Sequence, residues 1–305
     1  MPDTDIRLDA KLLERIERKK QLLDTRRPLS GAALKRLQEE LRVAHTYNSN
    51  AIEGNTLTRQ ETKLVIEDGI TIGGKPLREH LEATGNAEAF DRIFRFAKED
   101  TPLDHVTVLE IHGLVTRGIQ MDSGQYRTIN VRISGAAKMP PDFSKVPGLM
   151  GALLRATRDS QHPVILSASL HHGIARIHPF SDGNGRTARL LANLLLMRKG
   201  YPPVVLRKED RKKYYACLAR ADAGDMFPFA NYIARSLDES LTLFLASFGG
   251  RDSLIPLSQL AKASPYSAEY LGLRARQGML SAVKLGKAWH STRRALDEYV
   301  KEHGR

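Results

Sequence analysis

The chain has 305 residues, and its 47 lysines and arginines exceed its 35 aspartates and glutamates, for a formal net charge of +12. Hydrophobic residues make up 41% of it, an ordinary share for a water-soluble protein, and no run approaches the length of a membrane span. The positive charge favours an anionic partner, such as a nucleotide, an acidic protein or a nucleic acid, and does not choose among the three.

The cysteine content and the first residues bear on the compartment. Cys217 is the one cysteine of the sequence, so a disulfide within the chain is excluded. The first five residues are acidic and polar and differ from a secretory signal. We therefore expect a cytoplasmic protein in which Cys217 packs as a small hydrophobic residue.

Two helices are predicted at the start of the chain. Residues 6–25 place apolar and charged side chains at helical spacing, which predicts an amphipathic helix with a basic outer face. A second helix is expected from about Ala32 into residues 49–55. On spacing alone, Glu53 would be the last residue of this helix before a Gly54 cap.

The next part of the chain is predicted to be mostly helical, with helices at residues 60–68, residues 79–98, from Pro102 onward, residues 146–157 and residues 164–175. The helix that opens at Pro102 should turn Val106 toward the core. Residues 124–135 interrupt this pattern, because glycines lie at both ends and apolar residues alternate around Val131 and Ile133, which predicts a β-hairpin. An ordinary surface hairpin would show the same alternation.

A tight loop is predicted after Ile177, where Pro179 and a run of small and polar residues separate two apolar helices. The loop leads directly into a helix N-terminus, whose free backbone N–H groups and dipole favour an anion. Gly183 and Gly185 let a phosphate approach the backbone closely. The arginines of the next turn, Arg186 and Arg189, lie three residues apart and form a fork for phosphate oxygens.

Two further side chains of the loop carry chemistry. Asp182 offers a hard carboxylate suited to Mg²⁺, and His178 offers a general base of near-neutral pKa. The set predicts phosphoryl or nucleotidyl transfer; the alternative is a plain turn with His178 as a cap and solvated arginines. His171 and His172 are adjacent and face different sides of a helix, without a neighbouring Cys, so we expect core histidines rather than a zinc site.

Residues 178–189 match the signature His-x-Phe-x-Asp/Glu-Gly-Asn-Gly-Arg-x-x-Arg of the Fic family at every fixed position. Residues 198–203 and 213–215 also resemble Fic enzymes of animals and their bacterial relatives, and the likeness covers about residues 30–245. The resemblance implies a mainly α fold, a Fic helical bundle with N-terminal inhibitory helices and a small β-hairpin flap at residues 126–135. It also implies a protein adenylyltransferase, which transfers AMP from ATP to a Ser, Thr or Tyr hydroxyl of a target protein or of itself, with Mg²⁺.

The same resemblance implies a role for each matching residue. His178 would be the catalytic base and Asp182 the magnesium ligand. The candidates for binding ATP are Asp182, Gly183, Asn184, Gly185, Arg186, Thr187, Arg189, Tyr214, Tyr215 and Asp222, together with the flap residues Val131, Arg132, Ile133 and Ser134. Asp222 stands where the animal relatives have Asn. The edge of the flap would hold a target segment as an added strand.

An inhibitory element is implied before the signature. Ser49-x-x-x-Glu53-Gly54 resembles the inhibitory motif of class II Fic proteins, in which the glutamate pairs with the second arginine of the signature, here Arg189. A carboxylate on that guanidinium would deny the γ-phosphate of ATP its productive position. Glu53 could also position a water that removes AMP from a modified target.

The composition changes after residues 246–252, whose glycine pair and small neighbours predict a linker. Beyond it we predict short helices at residues 257–263 and 267–277, a strand pair around Val283 and Trp289, and a last helix. This outline resembles a winged-helix or excisionase-type DNA-binding fold, that is, a helix-turn-helix with a hairpin. A docking or dimerisation module has the same outline.

The sequence thus predicts three segments: an N-terminal helical region with the inhibitory helix (1–100), a Fic core (101–245) and a winged-helix-like domain (246–305). The expected partners are ATP, a target protein on the flap, DNA at residues 257–305 and a second copy of the chain in a homodimer, but no membrane. The alternatives are a nucleotide-sensing, DNA-binding transcriptional regulator and a Fic enzyme that uses another nucleotide donor.

Overall fold

The structure is a computed structural model that describes residues 6–26, 31–132, 139–158 and 161–303, and the predicted flap residues Ile133 and Ser134 lie outside these ranges. Its α-helices are α1 (Ala10–Thr25), α2 (Gly31–Ile52), α3 (Arg59–Asp68), α4 (Leu77–Lys98), α5 (His105–Thr116), α6 (Val146–Ala156), α7 (Pro163–Ile177), α8 (Asn184–Arg198), α9 (Arg211–Asp222), α10 (Phe227–Ala246), α11 (Leu257–Leu260), α12 (Ala268–Gln277) and α13 (Arg293–His303). Short 3₁₀ helices lie at Phe143–Lys145, Lys208–Asp210, Gly250–Asp252 and Ala261–Ala263. The strands are β1 (Ile255–Pro256), β2 (Val283–Leu285) and β3 (Ala288–Ser291). The predicted mainly α fold is confirmed.

The chain divides into two compact units. The first contains Gln38–Ile233 with the residues before Asp9, and the second contains Asp9–Leu37 with Ala234–Arg305. This division differs from the predicted segments, which follow chain order. The reason is that the first helix packs within the second unit, where Lys19 of α1 donates a 2.6 Å hydrogen bond to the Asp238 carboxylate of α10. Within the described ranges, every helix is too short or too polar to span a lipid bilayer.

The centre of the first unit is the helix pair α7 and α8. These two helices pack against each other, and α8 also packs against α4 and α5. Nearly every residue of α8 from Asn184 to Leu196 is buried, including the polar side chains of Arg186, Arg189 and Asn193. The loop that joins α7 to α8 is therefore held between two helices of the core.

The second unit contains a small antiparallel sheet in the order β1-β3-β2. In its register, Val283 pairs with His290 and Ile255 pairs with Ser291. Its hydrophobic core consists of Leu257, Leu260, Leu271, Ala275, Leu280, Ala282, Leu296 and Tyr299. The elements predicted after residue 256 lie where the sequence placed them, and Ser267 caps α12 by accepting from the Tyr270 N–H. Their assignment as a winged helix stays a prediction.

One predicted core face was wrong in detail. The helix after Pro102 begins only at His105, because Asp104 caps it by accepting a hydrogen bond from the Thr107 N–H. In the resulting phase, Val108, Ile111 and Val115 are buried, whereas Val106 is 71% exposed.

The predicted hairpin of the flap was also wrong for the residues that the structure describes. Residues 124–132 contain no strand, and side-chain hydrogen bonds hold this segment instead. The Asn130 amide donates to Asp142 Oδ2 at 2.9 Å and accepts from the Phe143 N–H at 2.9 Å. Side-chain hydrogen bonds, and not a ladder of backbone hydrogen bonds, therefore hold the segment around Asn130.

Candidate active site

His178 lies at the end of α7 in a left-handed conformation (φ 51°), which is uncommon for a residue other than glycine. Its N–H donates to the Ile174 carbonyl at 2.9 Å, and its own carbonyl accepts from Arg127 Nε at 2.8 Å. Burial lowers the pKa of the half-buried imidazole, and its Nδ1 lies 3.4 Å from the Ala175 carbonyl. A neutral ring that donates from Nδ1 presents Nε2 as the atom that accepts a proton.

Arg127 ties the base of the flap to this loop. Besides binding the His178 carbonyl, it donates from Nη1 to the Ile129 carbonyl at 2.8 Å and from Nη2 to the Pro141 carbonyl. Its backbone N–H donates to the Pro179 carbonyl at 2.9 Å. One buried guanidinium thus joins both limbs of the flap to the loop between α7 and α8.

Asn184 closes the loop where α8 begins. Its Oδ1 accepts from the Phe180 N–H and its Nδ2 donates to the Phe180 carbonyl, both at 2.9 Å. Gly183 precedes it with φ 77°, and a Cβ built there would lie 2.8 Å from Thr116 Cγ2. Both groups of the Asn184 amide therefore clamp the loop through the Phe180 backbone.

The Glu53 carboxylate lies at the N-terminus of α8, on the predicted phosphate site. Arg189 Nη2 donates to Glu53 Oε1 at 2.7 Å. A Cβ built on Gly185 would lie 2.2 Å from the same oxygen, so the carboxylate lies directly against the first turn of the helix. Gly54 follows Glu53 with φ 105° and turns the chain away after it.

Arg189 is held by more than the carboxylate. Its side chain is 2% exposed, and it donates from Nε to Ser49 Oγ and from Nη2 to the Ser49 carbonyl, both at 2.9 Å. Burial lowers the pKa of this guanidinium, but Glu53 and Tyr214 raise it above its ordinary value. Ser49 and Glu53, predicted as a pair, thus both bind the second arginine of the signature. That arginine, Arg189, lies 140 and 136 residues further along the chain.

The other signature arginine, Arg186, lies in an acidic cluster. Its Nη1 lies 3.5 Å from Glu82 Oε1 and its Nη2 lies 3.6 Å from Asp182 Oδ1. Arg78 Nη2 donates to the other oxygen of Asp182, and Arg78 Nε donates to Glu82 Oε1 at 3.1 Å. Asp182 therefore lies between two guanidiniums, and Thr187 beside Arg186 is fully buried.

His112 supports Asp182 from below. Its ring stacks on Phe180 at 3.6 Å between centroids, its Nδ1 accepts from the Gly124 N–H at 3.0 Å, and Nε2 lies 3.1 Å from the Asp182 carbonyl. Because Nδ1 accepts, Nε2 carries the proton and donates. Burial lowers the pKa of His112 to about 4, so the ring is neutral near pH 7.

The tyrosine pair has two different environments. Tyr214 is buried, and its hydroxyl lies 2.8 Å from His171 Nε2 and 3.4 Å from Arg189 Nη1. Tyr215 is 38% exposed, and its hydroxyl donates to Glu53 Oε2 at 3.4 Å. Of the two, Tyr215 has the exposed ring, and the Arg211 guanidinium lies over it, 4.9 Å from its centroid.

The remaining candidates lie at the edge of the site. Asp222 Oδ1 lies 2.8 Å from His172 Nε2, so the carboxylate that replaces the expected amide has an imidazole partner. Among the flap residues, Val131 is half-buried and Arg132 is exposed in an irregular segment. His171 and His172 thus bind Tyr214 and Asp222 respectively.

Comparison with known proteins identifies this arrangement. Residues 102–196 match the Fic/DOC family. A Fic domain containing signaling protein from Bacteroides thetaiotaomicron is 31% identical, with a TM-score of 0.71 over 77% of this chain and 97% of that chain. The chain belongs to the Fic/DOC family. Fic-1 (residues 134–508) from C. elegans is similar too, at 32% identity and a TM-score of 0.68, over 78% of this chain and 72% of that chain.

Fic proteins of animals are similar in sequence as well. The protein adenylyltransferase Fic of Nematostella vectensis is 36% identical over 246 residues, which are 79% of this chain and 57% of that protein. The corresponding protein of Culex quinquefasciatus is 36% identical over 254 residues, 82% of this chain and 51% of that protein. The chain spans about half the length of these curated relatives.

Four residues of the Fic site escaped the sequence analysis: Arg78, Glu82, His112 and Arg127. The spacing of Arg78 and Glu82 marks a helical i,i+4 ion pair, but nothing in it indicates a partner a hundred residues away. No sequence pattern marks His112 or Arg127, because a single buried His or Arg in an apolar helix or a loop belongs to no motif or periodic spacing.

Proposed function

We propose that the chain is a protein adenylyltransferase, autoinhibited by Glu53, that transfers AMP from ATP to a hydroxyl of a target protein. The observation that carries the proposal is the Glu53–Arg189 ion pair at the N-terminus of α8. There a carboxylate lies against the first turn of the helix and binds a guanidinium, a position and a partner that suit a phosphate. The similarity to proteins named protein adenylyltransferase Fic supports the choice of reaction.

His178 is the base in this proposal. Its Nε2 takes the proton from a Ser, Thr or Tyr hydroxyl of the target, and the oxygen attacks the α-phosphorus of ATP. The bond from that phosphorus to the bridging oxygen breaks, and pyrophosphate leaves. The lowered pKa of His178 keeps the ring unprotonated at neutral pH, as this step requires.

The phosphates are bound by groups that hold their positions before substrate arrives. The N-terminal amides of α8 and Arg186 face the α- and β-phosphates, and Arg189 takes the γ-phosphate once Glu53 withdraws. Asn184 keeps the loop in shape through Phe180, and Ser49 keeps Arg189 in place. Groups fixed in this way stabilise developing charge without reorganisation.

The residues present fit a magnesium ion. Mg²⁺ in nucleotide sites uses one or two carboxylates plus substrate phosphates, and the side chain of Asp182, 37% exposed, is within reach of solvent and ligand. Asp182 would hold the ion, which would offset the charge of the phosphates. His112 fixes the backbone of Asp182 for that task.

The test is transfer of label from α-³²P-ATP. Glu53→Gly should raise AMP transfer to a target and to the chain itself by at least ten-fold, because Arg189 becomes available to the γ-phosphate. His178→Ala in the same background should abolish it.

Mass spectrometry of the Glu53→Gly protein after incubation with each nucleoside triphosphate identifies the donor and the modified side chain. Equal labelling of the wild-type and Glu53→Gly chains would contradict the inhibitory role.

The flap is the proposed docking site of the target. Ile129, Met139 and Phe143 expose 63%, 63% and 39% of their surfaces beside it. Such a group of apolar side chains suits a peptide segment held next to His178. A nucleotide donor other than ATP is the alternative within this proposal, because Asp222 stands where the animal relatives have Asn.

A DNA-binding role for residues 257–305 is the second candidate. Arg276 of α12 and Lys284 and Lys287 of the β2–β3 hairpin are exposed, as a phosphate-contacting face requires. In that case the Fic region would sense nucleotide. A homodimer and a cytoplasmic location are further expectations.

A further inference from the structure

Arg78 lies outside both sequence motifs, yet it reaches the carboxylate assigned to the metal ion. It is the second residue of α4, and its guanidinium bridges two acids: Nη2 donates to Asp182 Oδ2 and Nε donates to Glu82 Oε1 at 3.1 Å. A planar fork can hold two carboxylates at once in this way, whereas an ammonium group cannot fix both directions.

Glu82 is the anchor of this contact. Its side chain is 11% exposed, and besides Arg78 it accepts from Asn55 Nδ2 at 3.0 Å and lies 3.5 Å from Arg186 Nη1. Asn55 follows Glu53 by two residues, so one buried carboxylate joins the inhibitory segment to the arginine that binds Asp182. A movement of the segment at Glu53 would change the contacts of Glu82.

The contact between Arg78 and Asp182 is open to solvent, so another cation can displace it. The two side chains are 57% and 37% exposed, and ion pairs this exposed to water contribute little free energy. A divalent cation on Asp182 would bring two positive charges next to the Arg78 guanidinium. The cation and Arg78 therefore compete for the same carboxylate.

We propose that Arg78 is a positioning residue that competes with the divalent cation for Asp182, and that Glu82 aims it there. This inference rests on the proposed function. Two contacts then occupy the site before substrate binds. Glu53 binds Arg189, the arginine proposed for the γ-phosphate, and Arg78 binds Asp182, the residue proposed for the metal. Glu82 and Asn55 connect them.

The experiment measures binding of Mn²⁺, a probe for the magnesium site, to the full chain carrying Glu53→Gly. Free Mn²⁺ is counted by electron paramagnetic resonance, with the metal alone and with a non-hydrolysable ATP analogue. Arg78→Ala should tighten Mn²⁺ binding by about two- to five-fold, the range that an exposed ion pair supports. The matched control is Arg117→Ala, an arginine in an exposed pair with Glu88, which should leave binding unchanged.

Two more variants separate competition from general electrostatics. Arg78→Lys keeps the charge but loses the fork, so it should resemble Arg78→Ala; behaviour like the parent chain would overturn the geometric claim. Asp182→Asn should abolish Mn²⁺ binding at this site, both in the Glu53→Gly chain and in the same chain with Arg78→Ala. Unchanged Mn²⁺ affinity in Arg78→Ala overturns the inference, and weaker affinity overturns it in favour of Arg78 as a phosphate ligand. Failure of the ATP analogue to bind the parent chain would instead count against the proposed function.

Discussion

At the scale of single residues, Arg189 has a position that does not depend on Glu53. Ser49 accepts from its Nε and, through the backbone carbonyl, from its Nη2, each at 2.9 Å. A guanidinium held in this way stays in place when the carboxylate withdraws. Under the proposed function, a phosphate can therefore replace the Glu53 carboxylate at Arg189 without rebuilding the site, as reversible inhibition requires.

Gly185 provides a residue-level test of the brake. Gly185→Ala would place a Cβ 2.2 Å from Glu53 Oε1, and the flexible glutamate would swing away and lose Arg189. The substitution should therefore be less favourable by about 1–3 kcal/mol in the wild-type chain than in the Glu53→Gly chain. Chemical denaturation of the four proteins of this cycle gives the difference, and additive effects would show that the contact does not exist in solution.

His112 provides a test by pH. Burial lowers its pKa to about 4 from the ordinary 6.5, so between these values the unfolded chain binds a proton that the folded chain does not. The free energy of unfolding should then fall as the pH falls from 6.5 to 4, by about 3 kcal/mol from this residue. His112→Gln, which keeps a donor for Asp182, should flatten the urea-denaturation profile over that window. A profile as steep as that of the wild type would exclude His112 as a source.

At the scale of elements, the first unit places its chemistry at the junction of two buried helices. The end of α7 supplies His178, and the start of α8 supplies the amides and both arginines. Because most of α7 and nearly all of α8 are buried, the short loop between them has little freedom, and core packing fixes its distances. The segment after α2 adds Glu53, which binds Arg189, and the second turn of α4 adds Glu82, which lies beside Arg186.

In the second unit, α1 is joined to α10 by a buried ionic cluster. Asp238 is 5% exposed and accepts from Arg15 and Lys19. Burial raises the pKa of Asp238, but these two cations lower it below its ordinary value. The ionised Asp238 carboxylate therefore balances the positive charges of Arg15 and Lys19.

Asp238→Asn should destabilise the protein strongly, because two buried cations would lose their counter-charge. The expected cost is about 3–5 kcal/mol in thermal or urea unfolding. The matched control is Asp297→Asn, which breaks an exposed pair with Arg251 and should change stability by less than about 0.5 kcal/mol. Similar losses in the two variants would show that the cluster is not a stabilising feature.

At the scale of the whole molecule, the net charge of +12 and the exposed lysines of the second unit make nucleic acid a candidate partner. If residues 257–305 bind duplex DNA, Lys284→Glu and Lys287→Glu should each weaken binding and each reduce the salt dependence of log K by about one unit. Fluorescence anisotropy with a random duplex measures this, with Lys98→Glu in the first unit as the control. Equal loss in the control would mean non-specific attraction, and no binding at all would favour a docking module.

The sequence by itself determined the helices, the loop signature and the family. These features depend on spacing along the chain: apolar residues every three or four positions, glycines in a turn, and two arginines three apart. Asp182 and His178 could be identified for the same reason, since they belong to one short loop. The inhibitory role of Glu53 came from the resemblance, because its partner lies 136 residues further along the chain.

Only the tertiary structure decided which distant groups meet. Four side chains make contacts between separate elements. Arg78 and Glu82 contact Asp182 and Arg186, His112 packs against the loop, and Arg127 binds the loop from the base of the flap. The structure also showed that Tyr214 is buried under Arg189, whereas Tyr215 is exposed. Hydrogen bonds and ion pairs act over about 3 Å in space at any separation in sequence, so the packing of the helices, and not the order of the residues, selects them.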